Sequence, residues 1–178
     1  MDTNYFNESE ATAFDKLEAF NEIIKAFEGI ERMKKGWHSD ATGKTKNGRY
    51  NIELKDREIL LMDNGKISGH SKTSGRDYID DGIMIESHKV ADLLLDVIDG
   101  YEPLYVNFML NGIAIFNLRK LSIRPRKSKN MNVKSLGYEK FEMAKRQFLD
   151  ITDATVYDSN NNLIKRAGEE WKGWKKNS

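Results

Sequence analysis

The chain has no cysteine, only two prolines in 178 residues and almost no excess of one charge, its formal net charge being +1. The missing cysteine excludes disulfide scaffolds, zinc–thiolate centres and cysteine nucleophiles together, and it fits a reducing, cytoplasmic setting. A balanced charge means that a nucleic-acid partner cannot be argued from overall charge, only from where the charges lie. Apolar runs are short. The longest, such as 113–116, fall far below the length needed to cross a bilayer. Residues 1–13 are polar and acidic and read as no signal peptide, which makes the Asn7-Glu8-Ser9 sequon a chance match. Apolar residues at 39% and charged residues at 32% describe a globular chain, and its length suits a single domain, 1–178, with a real core.

Phe14, Leu17, Phe20, Ile23, Ile24, Phe27 and Ile30 recur at three- and four-residue spacing and predict one amphipathic helix over 9–33. Residues 37–40 and 49–55 read as extended segments, with the turn-rich stretch 41–48 between them. The polar, glycine-rich stretch 63–77 reads as an inserted loop, with 59–62 extending the strand before it. A short strand is expected over 82–86, then a helix over 88–98 capped by Ser87, with Val90, Leu93, Leu94 and Val97 as its apolar stripe. Strands over 105–110 and 113–118 flank Asn111-Gly112, a strong two-residue hairpin signal. Further on, the pattern predicts a helix over 138–148 and a hairpin over 155–164. The fold class is therefore mixed α/β (α+β), a central mixed sheet flanked by helices. Residues 119–178 form a basic loop followed by a helix and hairpin extension.

The chemistry concentrates in Trp37-His38-Ser39-Asp40 and Tyr50-Asn51-Ile52-Glu53-Leu54-Lys55. Side chains alternate along a strand, so Glu53 and Lys55 share a face while Leu54 packs behind them. Asp40, on the neighbouring extended segment, brings a second carboxylate to the same place. Two converging carboxylates are hard oxygen ligands suited to Mg²⁺ or Mn²⁺. Beside them, a lysine can orient a water or stabilise charge on a phosphoryl group. The ordinary alternative is a solvated face: Glu-x-Lys on a strand is common and by itself a weak ion pair.

With a leading helix, an Asp, Glu-x-Lys on the next strand, and then a strand, a helix and two more strands, residues 18–118 resemble the PD-(D/E)XK nuclease superfamily. The resemblance implies a restriction-endonuclease-like core over 9–118. It implies Asp40 and Glu53 as metal ligands, the Leu54 carbonyl as a further ligand and Lys55 as the catalytic lysine. It also implies a glutamate from the first helix, Glu22 in preference to Glu18, and a polar residue early in the following helix, Lys89. Ser39 replaces the proline of the family pattern. The implied activity is divalent-metal-dependent phosphodiester hydrolysis, on DNA rather than RNA, by an enzyme for which a homodimer is an option. The alternative is an inactive nucleic-acid- or protein-binding domain of the same fold, such as one of phage or mobile-element origin.

Arg119, Lys120, Arg124, Arg126, Lys127, Lys129 and Lys134 lie in a stretch with no acid, and Pro125 rules out a regular helix through it. Such a segment either neutralises phosphates or is simply solvated. The polar stretch 66–76 is a second candidate contact. Gly43-Lys44-Thr45 is no P-loop, because that motif's first glycine falls on His38. His38, His70 and His88 show no metal-ligand spacing. Trp171 and Trp174 sit among lysines, an arrangement that can stack on bases but more often packs onto the domain.

Overall fold

A computed structural model describes residues 4–34, 37–71, 75–121, 127–134 and 141–174. In chain order the elements are α1 (Asn4–Ile24), β1 (Gly29–Arg32), β2 (Ala41–Thr45), β3 (Gly48–Asp56), β4 (Ile59–Leu61), β5 (Ile67–Ser71), β6 (Arg76–Asp80) and β7 (Ile83–Glu86). There follow α2 (Ser87–Leu95), β8 (Tyr101–Met109), β9 (Gly112–Asn117), α3 (Leu118–Leu121), β10 (Lys127–Lys134), β11 (Phe141–Leu149), β12 (Thr155–Asp158) and β13 (Leu163–Lys165). Among the described residues the main sheet runs β1-β2-β3-β8-β9-β12-β13, and the sets β4-β5-β6 and β10-β11-β7 form two smaller sheets. The main sheet is mixed: β3 and β8 are parallel and its other neighbours antiparallel. The expected mixed α/β class is what the chain adopts. No helix among the described residues is long and apolar enough to cross a membrane.

Alternation along β3 and β8 divides the core between the two faces of this sheet. On one face α1 lays Ala13, Leu17 and Phe20 against Ile52, Leu54, Leu104, Val106 and Phe108. On the other, Val90 and Leu93 of α2 pack with Tyr105, Phe116 and the β4, β5 and β7 side chains. Burying these apolar surfaces is the main favourable term for such a layered arrangement.

The first helix stops nine residues short of its expected end. Lys25 takes a left-handed φ of 54°, and the Asn21 side chain wraps the exit by donating to Phe27 O (3.1 Å) and accepting from Phe27 N (2.8 Å). Phe27 and Ile30, which fit the helical stripe, instead lead into the edge strand β1, and Phe27 packs edge-on against Tyr50. Residues 37–40 are bends rather than a strand, and β2 occupies most of the stretch expected to be a turn. Its threonines and small residues suit the pleat. Only Lys46 and Asn47 separate β2 from β3.

The polar insert is largely ordered sheet. Within it β5 pairs with both β4 and β6, so 59–62 is a separate strand and not an extension of β3. The Ser87 hydroxyl does not cap α2; Glu86 holds the N-cap position and makes no side-chain cap bond. The 138–148 helix is also corrected: Phe141–Leu149 is the strand β11, held between β10 and β7 by backbone ladders that an isolated reading of periodicity misses. The two expected hairpins form, the first with its turn one residue early. β8 turns into β9 through Leu110 and Asn111 and not through Asn111 and Gly112, since Gly112 already pairs with Met109. β12 returns as β13 over a loop in which Asp158 Oδ1 accepts from Asn160 N and Asn162 N (both 2.9 Å).

Candidate functional site

The β2–β3 register aligns Ala41 with Ile52, so one further step along the ladder sets Asp40 across from Glu53. Asp40 N donates to Ile52 O at 3.0 Å, the last backbone bond of that ladder. The next one is made by the side chain, as Leu54 N donates to Asp40 Oδ2 at 2.7 Å. Ile52 and Leu54 thus both turn their backbone groups toward β2. The Leu54 carbonyl points to the same side, just where β2 has ended.

Glu53 is fully buried, at 0% exposure, and two cations converge on it. Lys55 Nζ lies 2.5 Å from Glu53 Oε1, and Lys89 Nζ, from the first turn of α2, lies 3.3 Å from Glu53 Oε2. Asp40, Glu53, Lys55 and Lys89 are therefore brought together from three elements of the fold. Burial, reinforced by the Glu53 carboxylate, pushes the Asp40 carboxyl up from 3.8 to about 6, against the pull of Lys55, the Leu54 N–H and Lys89. For Lys55, burial favours the neutral amine, but Glu53 and Asp40 outweigh it and its pKa is raised. Two carboxylates hold this pocket with more negative charge than the site readily accepts, and both ammonium groups compensate it.

Glu22 and Glu18 do not join this group. Both are exposed on α1, which covers the Leu54 face of the sheet, opposite to the face carrying Glu53 and Lys55. The helical spacing placed them correctly on α1, but only the handedness of the chain path settles which face α1 covers. Among the described residues there is no cluster of three or more His, Asp or Glu side chains able to hold a metal ion. A divalent cation here would rest on Asp40, Glu53 and the Leu54 carbonyl. These donors fit it: all are hard oxygens, and the raised Asp40 carboxyl marks a place where added positive charge is favourable.

Two neighbours escaped the motif. Arg57 continues the Glu53–Lys55 alternation, and its Nη1 donates to Met84 O at 2.7 Å. Asn107 pairs in register with Lys55 on β8, on the same face, and is fully buried. A lone amide inside the apolar run Leu104-Tyr105-Val106-Asn107-Phe108 is the signal that finds it.

Of the basic residues, Arg119 pairs with Glu102, and exposed Lys120 sits in α3. Lys127 and Lys129 lie on β10, so this part of the expected loop is a strand, whereas Arg124 and Arg126 fall outside the described residues. His38 is exposed, His70 meets Asp77, and His88 meets Glu86. Trp171 and Trp174 pack onto the domain from an irregular segment and not from a helix. Trp171 Nε1 donates to Met62 O and Asp63 O, and Trp174 Nε1 to Leu61 O at 2.7 Å. The chain matches no known protein family, no curated protein and no solved structure.

Proposed function

We propose that the protein is a divalent-metal-dependent endonuclease that hydrolyses phosphodiester bonds, in DNA rather than RNA. The observation that carries this reading is the meeting of Asp40, Glu53, Lys55 and Lys89 at the point where β2 leaves β3. The element order of the resemblance supports it: a leading helix, Asp40, Glu53-Leu54-Lys55 on β3, then β7, α2, β8 and β9. Asp40, Glu53 and the Leu54 carbonyl would hold Mg²⁺ or Mn²⁺, which supplies polarisation of a phosphoryl oxygen and a more acidic bound water. Lys55 holds the attacking water or offsets charge gathering on the phosphorus oxygens, and Lys89 keeps Glu53 oriented from the α2 side. A cytoplasmic setting belongs to the same reading.

The second reading, an inactive binding domain of the same fold, draws on one observation. Glu53 already has two ammonium partners, so the cluster is electrostatically complete as a structural knot. Purified protein incubated with supercoiled plasmid, linear duplex, single strands and branched DNA, with Mg²⁺ or Mn²⁺ against EDTA, separates the two. Metal-dependent cleavage that is lost in both Asp40→Ala and Lys55→Ala is the expected result. Binding without cleavage of any substrate favours the inactive domain, and calorimetry showing no Mn²⁺ binding that depends on Glu53 removes the metal site altogether. Sedimentation of the active form decides between monomer and homodimer.

A further inference from the structure

Asn107 is fully buried, yet its Oδ1 has no hydrogen-bond donor. Its neighbour Tyr105 cannot supply one, since the Tyr105 hydroxyl donates its proton to Met84 O at 2.8 Å and can only accept from the amide nitrogen of Asn107. A buried amide oxygen left unpaired is costly in a folded protein, and an apolar side chain of the same shape would avoid that cost. β8 is otherwise apolar on either side of it, so nothing in the packing calls for an amide at this position. What does lie beside it is Lys55. The parallel β3–β8 register pairs the two residues directly and on one face.

Lys55 is tied at 2.5 Å to Glu53, one of the two carboxylates that the proposed reaction needs for its cation. An ammonium released from Glu53 in this half-buried setting gains from a replacement acceptor. We propose, resting on the nuclease reading, that Asn107 is a positioning residue whose Oδ1 accepts Lys55 Nζ once Glu53 is engaged by a divalent cation, which holds the ammonium beside the reacting phosphate. The amide oxygen is then unpaired in the cation-free protein because its partner is elsewhere, and it is retained because the cation-bound protein uses it.

Asn107→Leu and Asn107→Asp test this, since the first removes the acceptor and the second keeps one. In cation-free protein Asn107→Leu melts at the same temperature as wild type or higher, which shows that it folds. With Mg²⁺ present its kcat on duplex DNA falls about a hundredfold with little change in KM, the scale of a displaced catalytic group. Asn107→Asp retains most of the activity. The readout independent of turnover is the side-chain ammonium resonance of Lys55 in ¹⁵N-lysine-labelled protein, assigned with Lys55→Arg. Mg²⁺ shifts this resonance in wild type and in Asn107→Asp and fails to do so in Asn107→Leu. Wild-type cleavage matched by equal cleavage in Asn107→Leu overturns the role of Asn107 and leaves the nuclease reading standing. If wild type cuts no form of DNA, the nuclease reading fails instead, and the resonance still reports whether Lys55 changes partner. A Lys55 signal indifferent to Mg²⁺ in wild type, or equally responsive in the leucine variant, overturns the inference.

Discussion

Two carboxylates of one cluster have opposite consequences for stability, because one has its charge compensated and the other is short of compensation. Asp40 carries a pKa raised from 3.8 to about 6, so its contribution is fully present below pH 3.8 and is lost as pH rises through 6. Asp40→Asn keeps an acceptor for Leu54 N and removes the charge. In EDTA at pH 7 this variant is expected to be more stable than wild type by about 2 kcal/mol, with the gain vanishing near pH 4. Urea titrations at the two pH values check it, and an equal gain at both would show that ionisation is not the cause. On the proposed nuclease reading the same proton competes with a cation, so Mn²⁺ affinity measured by calorimetry is expected to weaken as pH falls through about 6. Glu53→Gln goes the other way. It leaves Lys55 and Lys89 without their shared counter-charge and costs about 3 kcal/mol, the low end for breaking a buried pair because both lysines retain partial access to water. A thermal midpoint unchanged in Glu53→Gln would mean that the cluster contributes nothing to folding.

Elements differ in how plainly their sequences announce them. Several were legible from local signals: β3 by its alternation, the β8–β9 and β12–β13 hairpins by their turn residues, α2 by its apolar stripe. Others were not, among them β2 and the β4-β5-β6 set, whose turn-rich or polar sequences read as loop although each strand pairs with a chain neighbour. α1 reads as longer than it is because Phe27 and Ile30 keep the helical phase by coincidence, while Asn21 and Lys25 end the helix through a local wrap. β11 has the composition of a helix and becomes a strand only because β10 and β7 offer their backbone edges. At the site, Asp40, Glu53 and Lys55 were visible from spacing and neighbouring segments and Lys89 only through the family resemblance, whereas the side of the sheet that excludes Glu22, and the register that admits Asn107, depend on long-range pairing. Asn111 shows what such a long-range tie contributes. Its amide accepts from Leu61 N at 3.0 Å and donates to Leu61 O at 2.8 Å, fastening β4 to the β8–β9 turn. Asn111→Ala strips Leu61 N of this partner and leaves Trp174 Nε1 on Leu61 O, and it is expected to cost about 2 kcal/mol. Amide hydrogen exchange in 59–71 should accelerate selectively, and uniform acceleration over the whole chain would refute a local tie.

At the scale of the whole molecule the chain closes on itself through its last described residues. Trp171 and Trp174 meet edge to edge at a centroid distance of 5.2 Å and donate to the backbone of Leu61, Met62 and Asp63. This clasp holds the insert against the main sheet, and Trp174 covers Gly112, where a Cβ would lie 2.6 Å from its ring. Trp174→Ala is expected to destabilise the fold by about 3 kcal/mol and to leave DNA affinity and cleavage per folded molecule unchanged. A fall in DNA affinity without a fall in the urea midpoint would return Trp174 to base stacking.

The alternation along β3 also acts as a quality check on the assembled chain. Leu54 belongs to the oily layer under α1, and its two flanking neighbours belong to the opposite side. A slip of one residue against β8 would drive Glu53 and Lys55 beneath α1 and turn Leu54 outward from it, an error too expensive for the domain to tolerate. Such a slip would thus be disfavoured by instability, and the folded chain holds Glu53 and Lys55 together on one side already in alignment.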